Sequence, residues 1–194
     1  AVIKPSELTP FSATALAQLA QEAGVPAGAL NVVLGDAIPI GGALTESDTV
    51  RKLCFTGSTR VGKLLMQQSA ATVKKLSMEL GGNAPFIVFE DADLDLAVDG
   101  IVATKFRNCG QVCVASNRVF VHDSVRDAFV AKLSQRMAET VVVGNGAEAG
   151  VTVGPVITAA AAAAIKAKVA AAVAAGAVAT RPSKEVRAGL TANH

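Results

Sequence analysis

The chain has 194 residues, 51% of them apolar, so it can bury a core as one large domain or two small ones. Its formal net charge is only +2, its basic residues are dispersed, and it has no Trp or Tyr to stack on bases, which reads against a nucleic-acid partner. No uninterrupted apolar run reaches the roughly 20 residues of a membrane span, because Lys166 and Lys168 cut the most apolar segment.

In chain order, Val2-Ile3 reads as a strand closed by Lys4-Pro5, followed by a helix from Ser12 to Ala23 that Gly24 stops. Leu30–Leu34 is a short apolar run between glycines, and a weak helix carries on to about Leu44. Lys52–Phe55 predicts a strand running into Gly57-Ser58-Thr59, which opens an amphipathic helix over Arg60–Ala70. Val73–Glu79 returns as a strand. After Gly81-Gly82 the pattern restarts. Phe86–Phe89 predicts a buried strand, Asp91 and Asp93 offer N-cap carboxylates, and Leu94–Phe106 a helix. Arg118–Val121 and Val141–Val143 predict strands, Val125–Ala138 a helix, and Ala159–Ala175 an alanine-rich helix that supports no functional reading. The tail from Arg181 is polar. Strands alternating with helices predict α/β architecture with a parallel sheet, divided near Gly82 into residues 1–82 and 83–194.

The start, Ala1-Val-Ile-Lys-Pro, shows no signal peptide, and the missing initiator Met predicts a segment of a longer protein. Three cysteines without CxxC spacing and two histidines read against a disulfide framework and against a metal site. The expected compartment is reducing and cytoplasmic. Cys54, inside Leu-Cys-Phe, reads as core; Cys113, beside Gly110 and Gln111, lies in a loop-like stretch; Cys109 is ambiguous.

Glu79 and Cys113 give the chain a candidate general base and a candidate thiol nucleophile, a pairing suited to covalent chemistry at a carbonyl. The bland alternative for Glu79 is a surface carboxylate at a strand end. Phe55-Thr-Gly57-Ser-Thr-Arg-Val-Gly62-Lys63 nearly spells a phosphate-binding loop, but Leu64 stands where the Walker pattern needs Ser or Thr for Mg²⁺. That leaves a phosphate-binding turn or an ordinary capped helix start. Glu7 sits past the carboxyl end of the first strand, where open α/β sheets bind ligands. It either receives ribose hydroxyls, favouring NAD over NADP by repelling a 2′-phosphate, or is a solvated charge.

Taken together, Lys4-Pro-Ser-Glu7, Phe55-Thr-Gly-Ser-Thr59, Met78-Glu-Leu-Gly-Gly82, Asp91-Ala-Asp-Leu-Asp95 and Gly110-Gln-Val-Cys113 resemble the NAD(P)-dependent aldehyde dehydrogenase superfamily, most closely its succinate semialdehyde dehydrogenases. The resemblance implies a Rossmann-like sheet forming the later half of a cofactor domain, then the first part of a catalytic domain. It implies that Cys113 is the nucleophile and Glu79 the base that activates water. Lys4 and Glu7 would bind the adenine ribose, Gly57 and Ser58 the pyrophosphate, and Leu80 would lie near the nicotinamide. Arg107 would hold the distal carboxylate of succinate semialdehyde, with a structural salt bridge as its alternative. NAD is the implied cofactor, a small aldehyde the implied substrate, and a homo-oligomer the implied assembly of the full-length protein. Ala115 stands where many of these enzymes carry a second cysteine, so a redox-switch disulfide is not expected. The family's oxyanion-hole Asn would fall upstream of Ala1, and loss of one such donor costs on the order of 10²–10³ in turnover. An inactive fragment retained as a nucleotide-binding or structural subunit is the alternative function.

Overall fold

The structure, a computed structural model, describes residues 1–180; the polar tail from Arg181 lies outside the described residues. The chain divides into two compact units, Ala1–Gly81 and a second beginning at Gly82.

The first unit is built from two parallel strand pairs. Strand β1 (Val2–Ile3) pairs with β2 (Asn31–Val32) after a crossover through helix α1 (Phe11–Glu22). Gly24 terminates α1 at φ +88°, the left-handed conformation that glycine adopts without a Cβ penalty, and Val25 N–H closes back on the Ala20 carbonyl at 3.0 Å. Helix α2 (Ala37–Glu46) follows, then strand β3 (Lys52–Gly57), helix α3 (Thr59–Ser69) and strand β4 (Lys75–Leu80). β3 and β4 are parallel, with Thr56 beside Glu79 and Gly57 beside Leu80. Gly62 lets α3 settle on β4, since a Cβ there would stand 2.6 Å from Leu80 Cδ2. Lys74 is buried at the entrance to β4, where its ammonium donates to the Ser47 carbonyl at 2.5 Å and the Val50 carbonyl at 2.9 Å. A buried cation is tolerated when its donors are matched in this way, and the match ties β4 to the α2–β3 connection.

The second unit opens with strand β5 (Ala84–Val88), parallel to β6 (Ser116–Val121), and crosses over through helix α4 (Leu94–Lys105). The register slips between Ala84 and Pro85, where proline has no N–H to give the ladder. Asp93 caps α4, accepting from Asp95 N–H at 3.0 Å and Leu96 N–H at 3.1 Å. Helix α5 (Asp123–Thr140) completes the layer, and Val88, Val98, Ile101 and Phe129 form a buried core against Phe86, Leu94, Val121 and Leu133. Each such side chain contributes about 1.5–3 kcal/mol of transfer free energy. Exposed ion pairs Lys132–Asp95 and Arg136–Asp99 link α5 to α4, at 2.5 and 2.6 Å; pairs so open to solvent add at most about 1 kcal/mol each. Helix α6 (Ala159–Ala174) is capped by Thr158, whose Oγ1 accepts from Ala161 N–H at 3.1 Å.

The α/β class and the alternating elements are as expected from the sequence. Two readings are corrected. Val141–Val143 is not a strand: among the described residues only Val143 makes a bridge, to Val153, and the chain bends at Gly144 directly after it. Cys54 is exposed, not core, because strand alternation gives the covered side of β3 to Leu53 and Phe55. Among the described residues no helix is long and apolar enough to cross a membrane, and no His, Cys, Asp and Glu side chains cluster as a metal would require.

Candidate active site

In the first unit the candidate residues collect at carboxyl ends of parallel strands, the edge at which open α/β sheets receive ligands. Lys4 and Glu7 follow β1 and pair with each other, Nζ to Oε2, at 3.0 Å. Glu7 is fully exposed, yet its carboxyl is held below the usual carboxylate range, first by hydrogen bonding to its own backbone amide and then by the hydrogen bond and charge of Lys4. Gly57 ends β3. Ser58 is the N-cap of α3, its Oγ accepting from Val61 N–H at 3.3 Å. The helical ladder starts with Gly62 N–H on the Ser58 carbonyl. The amides of Thr59 and Arg60 therefore precede the intrahelical bonds, as an anion-binding helix start requires. The two sequence alternatives for this turn are thus compatible: the serine caps while those amides remain available. Glu79 and Leu80 end β4, Glu79 exposed and Leu80 half-buried on alternate faces.

In the second unit Cys113 sits on a loop between α4 and β6, and its thiol side chain is exposed. Leaving α4, the chain makes a 3-10 turn over Arg107–Gly110 in which Asn108, Cys109 and Gly110 all adopt positive φ, +49°, +57° and +76°. Gly110 is required there twice over, by its φ and because a Cβ would stand 3.0 Å from the Lys105 carbonyl oxygen. Asparagine tolerates this region, but for cysteine it carries a cost of order 1–3 kcal/mol that the surroundings must offset. They do so through Cys109 itself, whose Sγ–H donates to the Gly154 carbonyl at 3.2 Å. Cys109 is thus half-buried and engaged, whereas Cys113 is open.

Beyond the thiol the loop is fixed again. Ala115 is fully buried, and Ser116 is buried with its hydroxyl 3.3 Å from that of Thr104. Gly82 borders the Cys113 carbonyl, a Cβ at that glycine lying 3.9 Å from its oxygen. Arg118 holds the neighbouring Asn83 carbonyl at 3.0 Å through Nε and lies 5.8 Å over the Phe120 ring. Arg107 is exposed on the turn before the thiol and forms no ion pair among the described residues.

In the structure Glu79 lies in the first compact unit and Cys113 in the second. Sequence reading missed Gln111 and Arg118. Gln111 had a signal, an amide two residues before the thiol in Gly-Gln-Val-Cys; Arg118 had none beyond its place in a strand.

Parallel α/β units and an exposed thiol on an anchored loop define an α/β protein with a candidate covalent site, and the Aldehyde dehydrogenase family matches residues 1–192; the chain belongs to that family. It is 56% identical over 165 residues to glutarate-semialdehyde dehydrogenase of Pseudomonas aeruginosa, covering 85% of this chain and 34% of that protein. It is likewise 56% identical to the succinate-semialdehyde dehydrogenase [NADP(+)] of Escherichia coli K12, again covering 85% and 34%. The crystal structure of succinate-semialdehyde dehydrogenase from Burkholderia pseudomallei is 57% identical and superposes with a TM-score of 0.88 over 92% of this chain and 37% of that one. The chain thus spans about a third of the length of the relatives it matches.

Proposed function

We propose that this chain is the central part of a dehydrogenase that oxidises a semialdehyde acid, succinate semialdehyde foremost, to the dicarboxylic acid. The first unit is the later half of the cofactor domain and the second the first part of the thiol domain. The observation that carries the reading is the placing, on one anchored loop, of an exposed thiol at Cys113 six residues after an exposed guanidinium at Arg107 that has no ion-pair partner among the described residues.

The Cys113 thiolate attacks the aldehyde carbon, forming a C–S bond as the carbonyl π pair moves onto oxygen, which gives a thiohemiacetal alkoxide whose C=O is restored when the hydride leaves. Bound nicotinamide dinucleotide supplies the acceptor for the hydride that leaves that carbon. Loss of the hydride leaves a thioester on Cys113. Glu79 takes a proton from water, whose oxygen bonds the acyl carbon as the C–S bond breaks, returning the thiolate and releasing the acid. Arg107 receives the distal carboxylate through two parallel hydrogen bonds, the geometry for which guanidinium is suited. Both curated relatives carry in their names an aldehyde that ends in a carboxylate.

The first unit has the groups a dinucleotide needs: Glu7, ionised and exposed, for ribose hydroxyls, with Lys4 beside it; Gly57, Ser58 and the first amides of α3 for pyrophosphate; and Leu80 beside the nicotinamide. The negative charge of Glu7 opposes a 2′-phosphate, so NAD is the proposed cofactor, although the E. coli relative is named for NADP.

A second reading is favoured by one observation, the coverage of only 34% of the relatives' length: that this chain alone binds dinucleotide as an inactive subunit. Aldehyde-dependent NADH formation separates them. The first reading expects turnover from a chain completed to the relatives' full length, lost on Cys113→Ser. Turnover that survives that substitution overturns it, and dinucleotide binding by the chain alone, with no turnover from it or from the completed chain, establishes the second.

A further inference from the structure

We propose that Gln111 is a positioning residue for the thiol, acting as a clamp that holds the left-handed turn of residues 108–110 against the Gly154–Ile157 segment. The inference rests on Cys113 being the nucleophile and goes beyond it by assigning what orients that nucleophile.

Both ends of the Gln111 amide are used. Its Oε1 accepts from the Ile157 backbone N–H at 3.0 Å, and its Nε2 donates to the Asn108 carbonyl at 3.3 Å. The Gln111 backbone N–H reaches the same carbonyl at 3.0 Å, and Asn108 Nδ2 returns to the Gln111 carbonyl at 3.4 Å. The turn is thus tied to the Gly154–Ile157 segment at two points, by Gln111 and by the Cys109 thiol on Gly154. This matters because two of its three left-handed residues are not glycine, and such a conformation persists only where neighbours over-determine it.

Only Val112 stands between this clamp and Cys113. On the far side the chain is fixed by Ala115, fully buried, whose N–H donates to the Val112 carbonyl at 3.1 Å. Cys113 and Val114 therefore form a short exposed arc between two fixed points. An exposed thiol has no packing of its own to set its direction, so the arc's anchors set it. The site needs one donor and one acceptor on one side chain of this length. Asparagine is a methylene too short, glutamate supplies only the acceptor, and methionine supplies neither.

The test uses this chain with two probes for its thiols. In p-nitrophenyl acetate the thiolate sulfur bonds the ester carbonyl carbon while the C–O bond to p-nitrophenolate breaks, so acylation reports a directed attack on a carbonyl. Iodoacetamide alkylation reports accessibility alone, and peptide mass mapping assigns both labels among Cys54, Cys109 and Cys113. A misplacement near 1 Å can cost up to 10²-fold, so Gln111→Met should lower acylation of Cys113 roughly tenfold while its alkylation stays within about twofold. Cys109 should become more readily alkylated, Cys54 should not change, and Gln111→Glu should recover part of the acylation. An unchanged acylation-to-alkylation ratio in Gln111→Met overturns the proposal, and so does a parallel rise in the alkylation of all three cysteines, which would mean general loosening. If Cys113→Ser releases p-nitrophenolate as fast as the parent chain, the nucleophile assignment itself fails and the clamp loses its object. That outcome is read without any Gln111 variant.

Discussion

Arg107 and Glu7 show how much a single charged group can decide. Arg107 stands on the turn that leads to the thiol with no carboxylate paired to it among the described residues, and the proposed reading gives it the substrate's distal carboxylate. A charge-assisted hydrogen bond is worth about 1.5–3 kcal/mol, which predicts that Arg107→Ala in the completed enzyme raises KM for succinate semialdehyde roughly 10- to 100-fold. A neutral aldehyde of the same length should be almost unaffected; parallel rises for both would remove the carboxylate role. Glu7 gives a pH prediction. Its carboxyl titrates below the ordinary range because its own backbone amide, then Lys4, stabilises the anion. A depressed acid constant means that the contact contributes to the fold at neutral pH and is lost as the pH falls through the lowered folded value. NMR titration should find the Glu7 midpoint below that of a free glutamate, and Lys4→Met should move it back up. A midpoint unmoved by that substitution would show that Lys4 is not a cause. These two residues were legible as candidates because each falls in a short motif beside a strand end or a thiol. That Glu7 pairs with Lys4 while Arg107 has no partner among the described residues was not legible, since ion pairing depends on which side chains the fold brings near. The alternation that exposes Cys54 was also in the sequence, but an apolar flank on both sides concealed which face was covered.

Among elements, the caps and stops were the most readable features. Asp93 before α4 and Gly24 after α1 do what their chemistry predicts, because a cap acts on amides within two or three residues of itself. Asp93→Ala should therefore lower stability by about 1 kcal/mol in chemical denaturation; no change in the midpoint would deny the cap its role. The turn at 108–110 was not readable in this way. Only one of its three left-handed residues is a glycine, and what holds the other two comes from Gly154–Ile157, far along the chain. Gly110→Ala must meet both a φ of +76° and the Lys105 carbonyl at 3.0 Å. A loss of roughly 1–3 kcal/mol is expected, measured by thermal unfolding of the chain, and a neutral result would mean the turn has room it does not show. Val141–Val143 failed as a strand for a related reason: three valines have strand propensity, but a strand needs a partner of matching length, and here a single bridge at Val143 is all the pairing among the described residues.

At the scale of the molecule, the chain forms two compact units that meet in sequence between Gly81 and Gly82. One unit has Lys4, Glu7, Gly57 and Leu80 at or after the ends of its strands; the other carries the Cys113 thiol on an anchored loop. Each unit has its own crossover, and the well-packed core of the second lies under the β5–β6 pair that follows and precedes the thiol loop. The central claim is that one of three cysteines performs the chemistry, and its most direct test is aldehyde-dependent NADH formation by a chain completed to the relatives' full length, comparing Cys113→Ala with Cys109→Ala. The account predicts that the first abolishes turnover and the second leaves most of it; equal loss in the two variants would contradict it.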